Sequence, residues 1–244
     1  MGVGAARGLA AGANAAGARP GVIWHDLECG GYGADVPLWL ELARAHPEGP
    51  ILDIGAGTGR VTLELARAGR RVIALDREEE LLRALGERAR EAGLEDAVET
   101  VCADARDFEL GCRGEIGLCV VPMQTVQLLG GESGRLAFLA RAHAHLRTGG
   151  LLACAIVTEL EPFECAEGEP GPSAEVRRVG GLRYSSRARR VALEADRIVI
   201  EREREIAAED GREAAGDVGD DRRERPARER DVIALDRVSA ESLQ

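Results

Sequence analysis

The chain has 244 residues, 45% of them apolar, and carries a net charge of −11. That length suits one domain with a modest insertion. The acidic balance argues against a nucleic-acid partner, which demands a basic face, and no apolar run reaches the roughly 18 residues of a membrane span. Every one of the 32 basic residues is arginine and only 3% are aromatic, so the core must rest on Leu, Val, Ile and Ala. The six cysteines form no C-x-x-C pair and no metal-ligand spacing. Cys102, Cys119 and Cys154 fall in apolar runs that read as buried strands, where a free thiol acts as a small hydrophobe. The expected compartment is the reducing cytoplasm, and no metal is expected.

Residues 1–20 are rich in Ala and Gly and read as a disordered leader. From residue 50 to about 160, short apolar runs alternate with helical patterns. Pro50–Ile54 reads as a strand running into Gly55–Gly59. Val61, Leu65 and Ala68 then recur at helical spacing until Gly69. Arg71–Asp76 is a second strand, and Leu81, Leu85, Ala89 and Ala92 mark the next helix. Ala97–Cys102 is a third strand and Ile116–Val121 a fourth. Leu136, Leu139, Ala140, His143 and Leu146 outline a helix stopped by Gly149 and Gly150, with His143 on its apolar face and His145 exposed. Leu151–Val157 is a fifth strand. This alternation predicts an α/β fold, a Rossmann-like three-layer arrangement around a parallel sheet, with the ligand crevice at the carboxyl ends of the strands.

After residue 160 the periodicity changes. Glu161–Pro172 reads as a loop. Gly181–Ser186, Val191–Glu194, Arg197–Ile206 and Asp231–Asp236 read as antiparallel strands, so 161–236 is an antiparallel insert and a candidate lid. Glu201–Arg230 carries 11 acids and 8 arginines and reads as a solvated, partly disordered surface. Residues 237–244 read as the start of a helix.

The strongest chemical signal is Asp53-Ile-Gly-Ala-Gly-Thr-Gly59, where a strand ends in G-x-G-x-G and enters a helix. Glycines allow a sharp turn and close approach of a ligand. The helix start offers free N–H groups to a carboxylate or phosphate. Asp76 ends the second strand and can accept both hydroxyls of a ribose. Asp104 ends the third and can accept from an adenine amino group. Each acid alone suits a strand-end turn or helix cap; three in order on consecutive strand ends point to a nucleoside. A dinucleotide fingerprint would place its third glycine at position 60, which is Arg60, so a nicotinamide-dependent oxidoreductase is disfavoured.

Asp53–Gly59, Val72–Asp76, Ala103-Asp104-Ala105 and Leu146-Arg-Thr-Gly-Gly150 resemble the successive motifs of class I S-adenosylmethionine-dependent methyltransferases. Trp24–Glu28 and Asp35–Trp39 resemble the N-terminal helical cover of the small-molecule members, giving 21–49 that role and 50–160 the cofactor-binding core. The resemblance implies S-adenosyl-L-methionine as methyl donor and a small-molecule acceptor. It implies that Gly55, Ala56, Gly57 and Gly59 line the methionine portion, with Asp53 anchoring the loop. Asp76 and Arg77 would lie at the ribose, Asp104 with Ala103 and Ala105 at the adenine. Pro122, Met123 and Gln124 would face the methyl-transfer site. Candidates for a general base are His25, Tyr32 and Glu159; His25 stands where related sequences often carry Tyr.

One departure is at the end of the chain. Family members usually finish with a helix and a two-strand hairpin, of which only the first turn is expected here. An uncovered fifth strand predicts lowered stability or a homodimer through that edge. The motifs also suit a non-catalytic module that binds the nucleoside, or a partner protein, without turnover.

Overall fold

The computed structural model describes residues 19–166, 168–169, 171–208, 227–239 and 241. Residues 1–18 of the expected leader and the middle of the charged stretch lie outside them, while Pro20, expected to end the leader, begins a helix. The chain divides into two compact units.

The first unit holds Gly30–Leu160, Glu194–Ile198 and the chain from Ala234. Its five parallel strands are β1 (Ile51–Ile54), β2 (Val72–Asp76), β3 (Val98–Cys102), β4 (Ile116–Val121) and β5 (Leu146–Cys154), in the order β3-β2-β1-β4-β5. Continuous apolar runs are what a sheet covered on both faces requires. Ile51, Val72, Leu118 and Val120 pack towards Trp39 and Ala43 of α2 (Val36–Ala45) and Leu65 of α3 (Thr62–Arg67). Leu52, Ile54, Leu75, Cys119 and Val121 pack on the opposite face with Phe138 and Ala142 of α5 (Gly131–His145). The remaining core helix, α4 (Glu79–Glu91), buries Leu82 and Leu85 against Ala74. The strand order reverses between β1 and β4, where open α/β sheets bind ligands.

Three expectations about this unit need correction. Cys102 is exposed, because β3 is the edge strand and only its inner residues are covered. The two histidines are exchanged. His145 is fully buried and stacked on Phe108 at 4.8 Å, and its Nε2 accepts the Leu110 N–H at 3.0 Å, while His143 is exposed. Lastly, α5 ends at His145, not at Gly149. β5 pairs from Leu146, and a register shift between its pairs at Ile116 and Leu118 absorbs residues 147–150. A side chain at Gly150 would press on the Ile116 carbonyl oxygen, 3.0 Å from the Cβ position.

The second unit holds the described chain up to Cys29, Glu161–Leu193 and Val199–Ile233. The short helix α1 (Pro20–His25) continues into a π-helical turn, Asp26–Gly30. The antiparallel strands are β6 (Phe163–Glu164), β7 (Glu175–Val179), β8 (Leu182–Leu193), β9 (Arg197–Ala208) and β10 (Ala227–Asp236), with β10-β9-β8-β6 in one sheet and β7 also paired to β8. Trp24 meets Tyr184 edge to face at 5.2 Å. The charged stretch is strand at both described ends, where its side chains form ion pairs. Glu205 lies between Arg183 (3.0 Å) and Arg228 (2.8 Å), and Glu201 lies between Arg190 and Arg230. On the other face Arg204 gathers Glu28 (2.6 Å), Asp231 (3.1 Å) and Glu229 (3.5 Å) and lies over the Trp24 ring. Gly181–Ser186 and Val191–Glu194 are one strand, and Glu175–Val179 and Phe163–Glu164 are strands that the sequence pattern did not reveal. Arg237, Val238 and Ser239 are not helical, and half of the expected last helix lies outside the described residues.

Among the described residues no helix is long and apolar enough to cross a membrane. The six cysteines form no disulfide.

Candidate active site

β1 delivers Asp53, one residue before its end, and the chain then turns through Gly55 (φ 71°), Gly57 (φ 55°) and Gly59 (φ 93°). Three left-handed residues at alternate positions explain why this loop is written in glycine. They do different jobs. A Cβ at Gly55 would lie 2.6 Å from Thr125 Cγ2, so that glycine lets the turn after β4 approach. A Cβ at Gly59 would overlap Leu85, so that glycine lets the loop sit on α4. Gly57 donates its N–H to Asp76 Oδ2 at 2.8 Å, and Glu78 N–H reaches Asp76 Oδ1 at 3.0 Å. Asp76 therefore braces the loop in addition to any contact with a ligand.

Asp53 is the least ordinary group. It is 1% exposed. Its Oδ2 accepts from Thr62 Oγ1 at 2.6 Å, and its Oδ1 has no hydrogen-bond partner among the described residues. Burial pushes its carboxyl up to about 7, against the pull of the Thr62 hydroxyl. The unfolded value is about 3.9. The native state therefore keeps a proton that the unfolded chain loses between these two pH values. Stability contributed by Asp53 is present at low pH, falls as pH rises from about 4 to about 7, and is level above that. The Asp53→Asn protein should lack this slope and be more stable above neutrality by a few kcal/mol, on the order of 1.4 per pKa unit. Chemical denaturation of both proteins from pH 4 to pH 8 checks this; parallel curves would refute it.

Asp104 follows β3. Its Oδ1 accepts the Arg106 backbone N–H at 2.8 Å, and its carboxylate pairs with the Arg106 guanidinium. These bonds to Arg106 hold its carboxyl down at about 2. Ala103 donates its N–H to the Asp76 carbonyl, tying the ends of β2 and β3 together. Beyond β4, Pro122 is buried and Met123 has φ 54°, the one non-glycine residue in the left-handed region among those described. Such strain gathers at ligand sites.

Asp53, the glycine loop, Asp76, Ala103–Ala105 and Pro122–Thr125 thus come to one edge of the sheet. Arg77 is exposed and pairs with the neighbouring Glu78. Of the base candidates, Tyr32 is half-exposed and Glu159 exposed, both in this unit. His25 ends α1 in the unit of the antiparallel sheet. Sequence reasoning missed two residues that shape the site. Gln127, 1% exposed, bonds to Val157 and Asp236, and Arg60 bonds to Asp35 and Tyr32. In the sequence, Arg60 stands out only for not being glycine.

Residues 51–150 match the family model described as a methyltransferase domain. That match runs from the start of β1 into β5. Over 132 residues it is 34% identical to the probable cobalt-precorrin-6B C(15)-methyltransferase (decarboxylating) of Methanothermobacter thermautotrophicus, covering 52% of this chain. The match spans 64% of that relative's length, a little under two thirds. In fold, the two units resemble those of the sugar N-methyltransferase KedS8 from Streptoalloteichus, with TM-score 0.66, 17% identity, and coverage of 100% of this chain and 87% of that one. They also resemble the S-adenosylmethionine-bound amino pentose methyltransferase CalS10 from Micromonospora echinaspora, with TM-score 0.60, 20% identity, and coverage of 91% and 84%.

Proposed function

We propose that this chain binds S-adenosyl-L-methionine at the glycine-rich edge and methylates a small molecule. The observation that carries the reading is the set of consecutive strand ends: Asp53 and its loop, Asp76 and Asp104, in chain order along one edge. The residues suit the cofactor chemically. Asp53 Oδ1 is a buried acceptor in need of a donor, and an ammonium group supplies one. Asp76 keeps lone pairs for a diol, since each carboxylate oxygen can accept more than one bond. Asp104 and the backbone beside Ala105 match the amino edge of an adenine.

The bound sulfonium supplies an already activated methyl group. The protein's share is to align the acceptor and exclude water. The strained Pro122–Thr125 turn, held against Gly55, is suited to that alignment. A base is required only for an acceptor that must lose a proton first, and Tyr32 and Glu159 are the candidates that share a unit with the glycine-rich loop. Two of the similar folds are named for sugar methylation, so amine-bearing sugars are the first acceptors to assay.

Isothermal titration of the full chain with S-adenosylhomocysteine tests the reading. One-to-one binding, absent with NAD, is the expected result. No heat at millimolar ligand would overturn it. Binding without release of S-adenosylhomocysteine from S-adenosylmethionine, across a panel of acceptors, would favour the non-catalytic module.

A further inference from the structure

Arg60 is the first residue after the glycine triplet, and its side chain is 10% exposed. Its two terminal nitrogens donate to both oxygens of Asp35, at 2.5 and 2.8 Å, in the fork geometry that favours arginine over lysine. One of them also donates to the Tyr32 carbonyl at 2.8 Å, and the guanidinium lies 5.5 Å from the Tyr32 ring centre. Asp35 is 12% exposed and also accepts from Trp39 Nε1 at 2.8 Å. Burial would raise the Asp35 carboxyl, but the bonds from Arg60 and Trp39 outweigh it and leave the group below its ordinary value.

Trp39 is buried in the core with Ile51, Val61 and Leu65. The Tyr32–Asp35 turn is thus fixed to α2 on one side and to the loop's last residue on the other. The loop needs such a tie. Its glycines bring no side chains, and glycine backbones lose the most freedom on ordering. Asp76 holds it in the middle and Arg60 holds its end.

We propose that Arg60 and Asp35 form a clasp between the glycine-rich loop and the Tyr32–Asp35 turn, and that this clasp sets the residence time of the bound nucleoside. Arg60 is here a positioning residue that acts through the loop. The proposal rests on the reading that the loop holds S-adenosylmethionine. Opening the loop is the step that lets ligand out, so a weakened clasp speeds release more than it slows entry.

The test is stopped-flow release of S-adenosylhomocysteine from the full-length protein, with ligand-free thermal melts to establish that each variant is folded. Arg60→Ala and Asp35→Asn should each raise the release rate about tenfold or more. Arg60→Lys, which keeps the charge but not the fork, should recover part of the effect. The double variant should be no faster than the worse single one, since both remove the same contact. Release at the wild-type rate from folded Asp35→Asn and Arg60→Lys proteins overturns the proposal. So does a loss of affinity that lies wholly in the association rate. A wild-type protein that binds no S-adenosylhomocysteine overturns the functional reading itself, and the clasp with it; wild-type binding with indifferent variants overturns the clasp alone.

Discussion

The Asp76→Ala protein should bind S-adenosylhomocysteine at least about a hundredfold more weakly than wild type. Two separate losses combine. The ribose loses its acceptor, and hydrogen bonds to a charged group are worth about 1.5–3 kcal/mol each. The loop also loses the bond from Gly57 N–H to Asp76 Oδ2, so the ligand must order a looser cradle. A tenfold change in affinity corresponds to about 1.4 kcal/mol, and losing one diol bond plus part of the brace therefore reaches a hundredfold or more. Asp76→Asn keeps an acceptor at one oxygen only and should fall between the two. Titration calorimetry on the three proteins decides the matter. A change below about threefold for Asp76→Ala would remove this residue from the binding site.

Gln127→Leu should be the most destabilising of the substitutions considered. The Gln127 amide does what a neighbouring strand would do for the end of β5. Its Oε1 accepts the Val157 N–H at 2.6 Å and its Nε2 donates to the Val157 carbonyl at 3.0 Å. The same nitrogen donates to the Asp236 carbonyl at 2.8 Å, where β10 ends. Leucine has a similar volume but leaves a part-buried N–H and two carbonyls without this partner. Each unsatisfied group costs about 1–3 kcal/mol, so the loss should be on the order of 3–5 kcal/mol. For a chain of this size that lowers the melting temperature by about 10 °C. Gln127→Glu, which accepts but cannot donate while ionised, should show an intermediate loss. A drop of less than about 1 kcal/mol for the leucine variant would mean that the ends of β5 and β10 are held elsewhere.

The core of the fold was legible because buried parallel strands write themselves as apolar runs. Ile116–Val121 and Val72–Asp76 could be placed almost to the residue. α5 was harder. Apolar residues lie around its circumference, with Leu136 exposed at 59% and Phe138 buried, so helical spacing alone selected the wrong face and exchanged His143 with His145. Most strands of the antiparallel sheet were read from the sequence, but β6 and β7 were not, because they are short and mostly exposed and carry little apolar pattern. On β9, Glu201-Arg-Glu-Arg-Glu205 alternates charge with charge, so the period of two is written there in sign and not in hydrophobicity. At the site, the glycines and strand-end acids declared themselves by local order. Gln127 and Arg60 did not. Their partners lie 30 and 109 residues away for Gln127, and 25 and 28 for Arg60, and no local spacing encodes such a pairing.

That alternation on β9 has a consequence for how the strand finds its place. Its glutamates meet arginines of β8 and β10 on one face, and Arg204 meets acids on the other. A shift of one residue turns every side chain to the opposite face. It would set Arg202 and Arg204 among Arg183, Arg190, Arg228 and Arg230, and send the glutamates towards Glu28 and Asp231. Each correct pair adds little, as exposed ion pairs do, yet each wrong neighbour repels. The sequence thus uses charge sign as an address, and rejects misaligned pairings along the part of β9 whose side chains are charged on both faces.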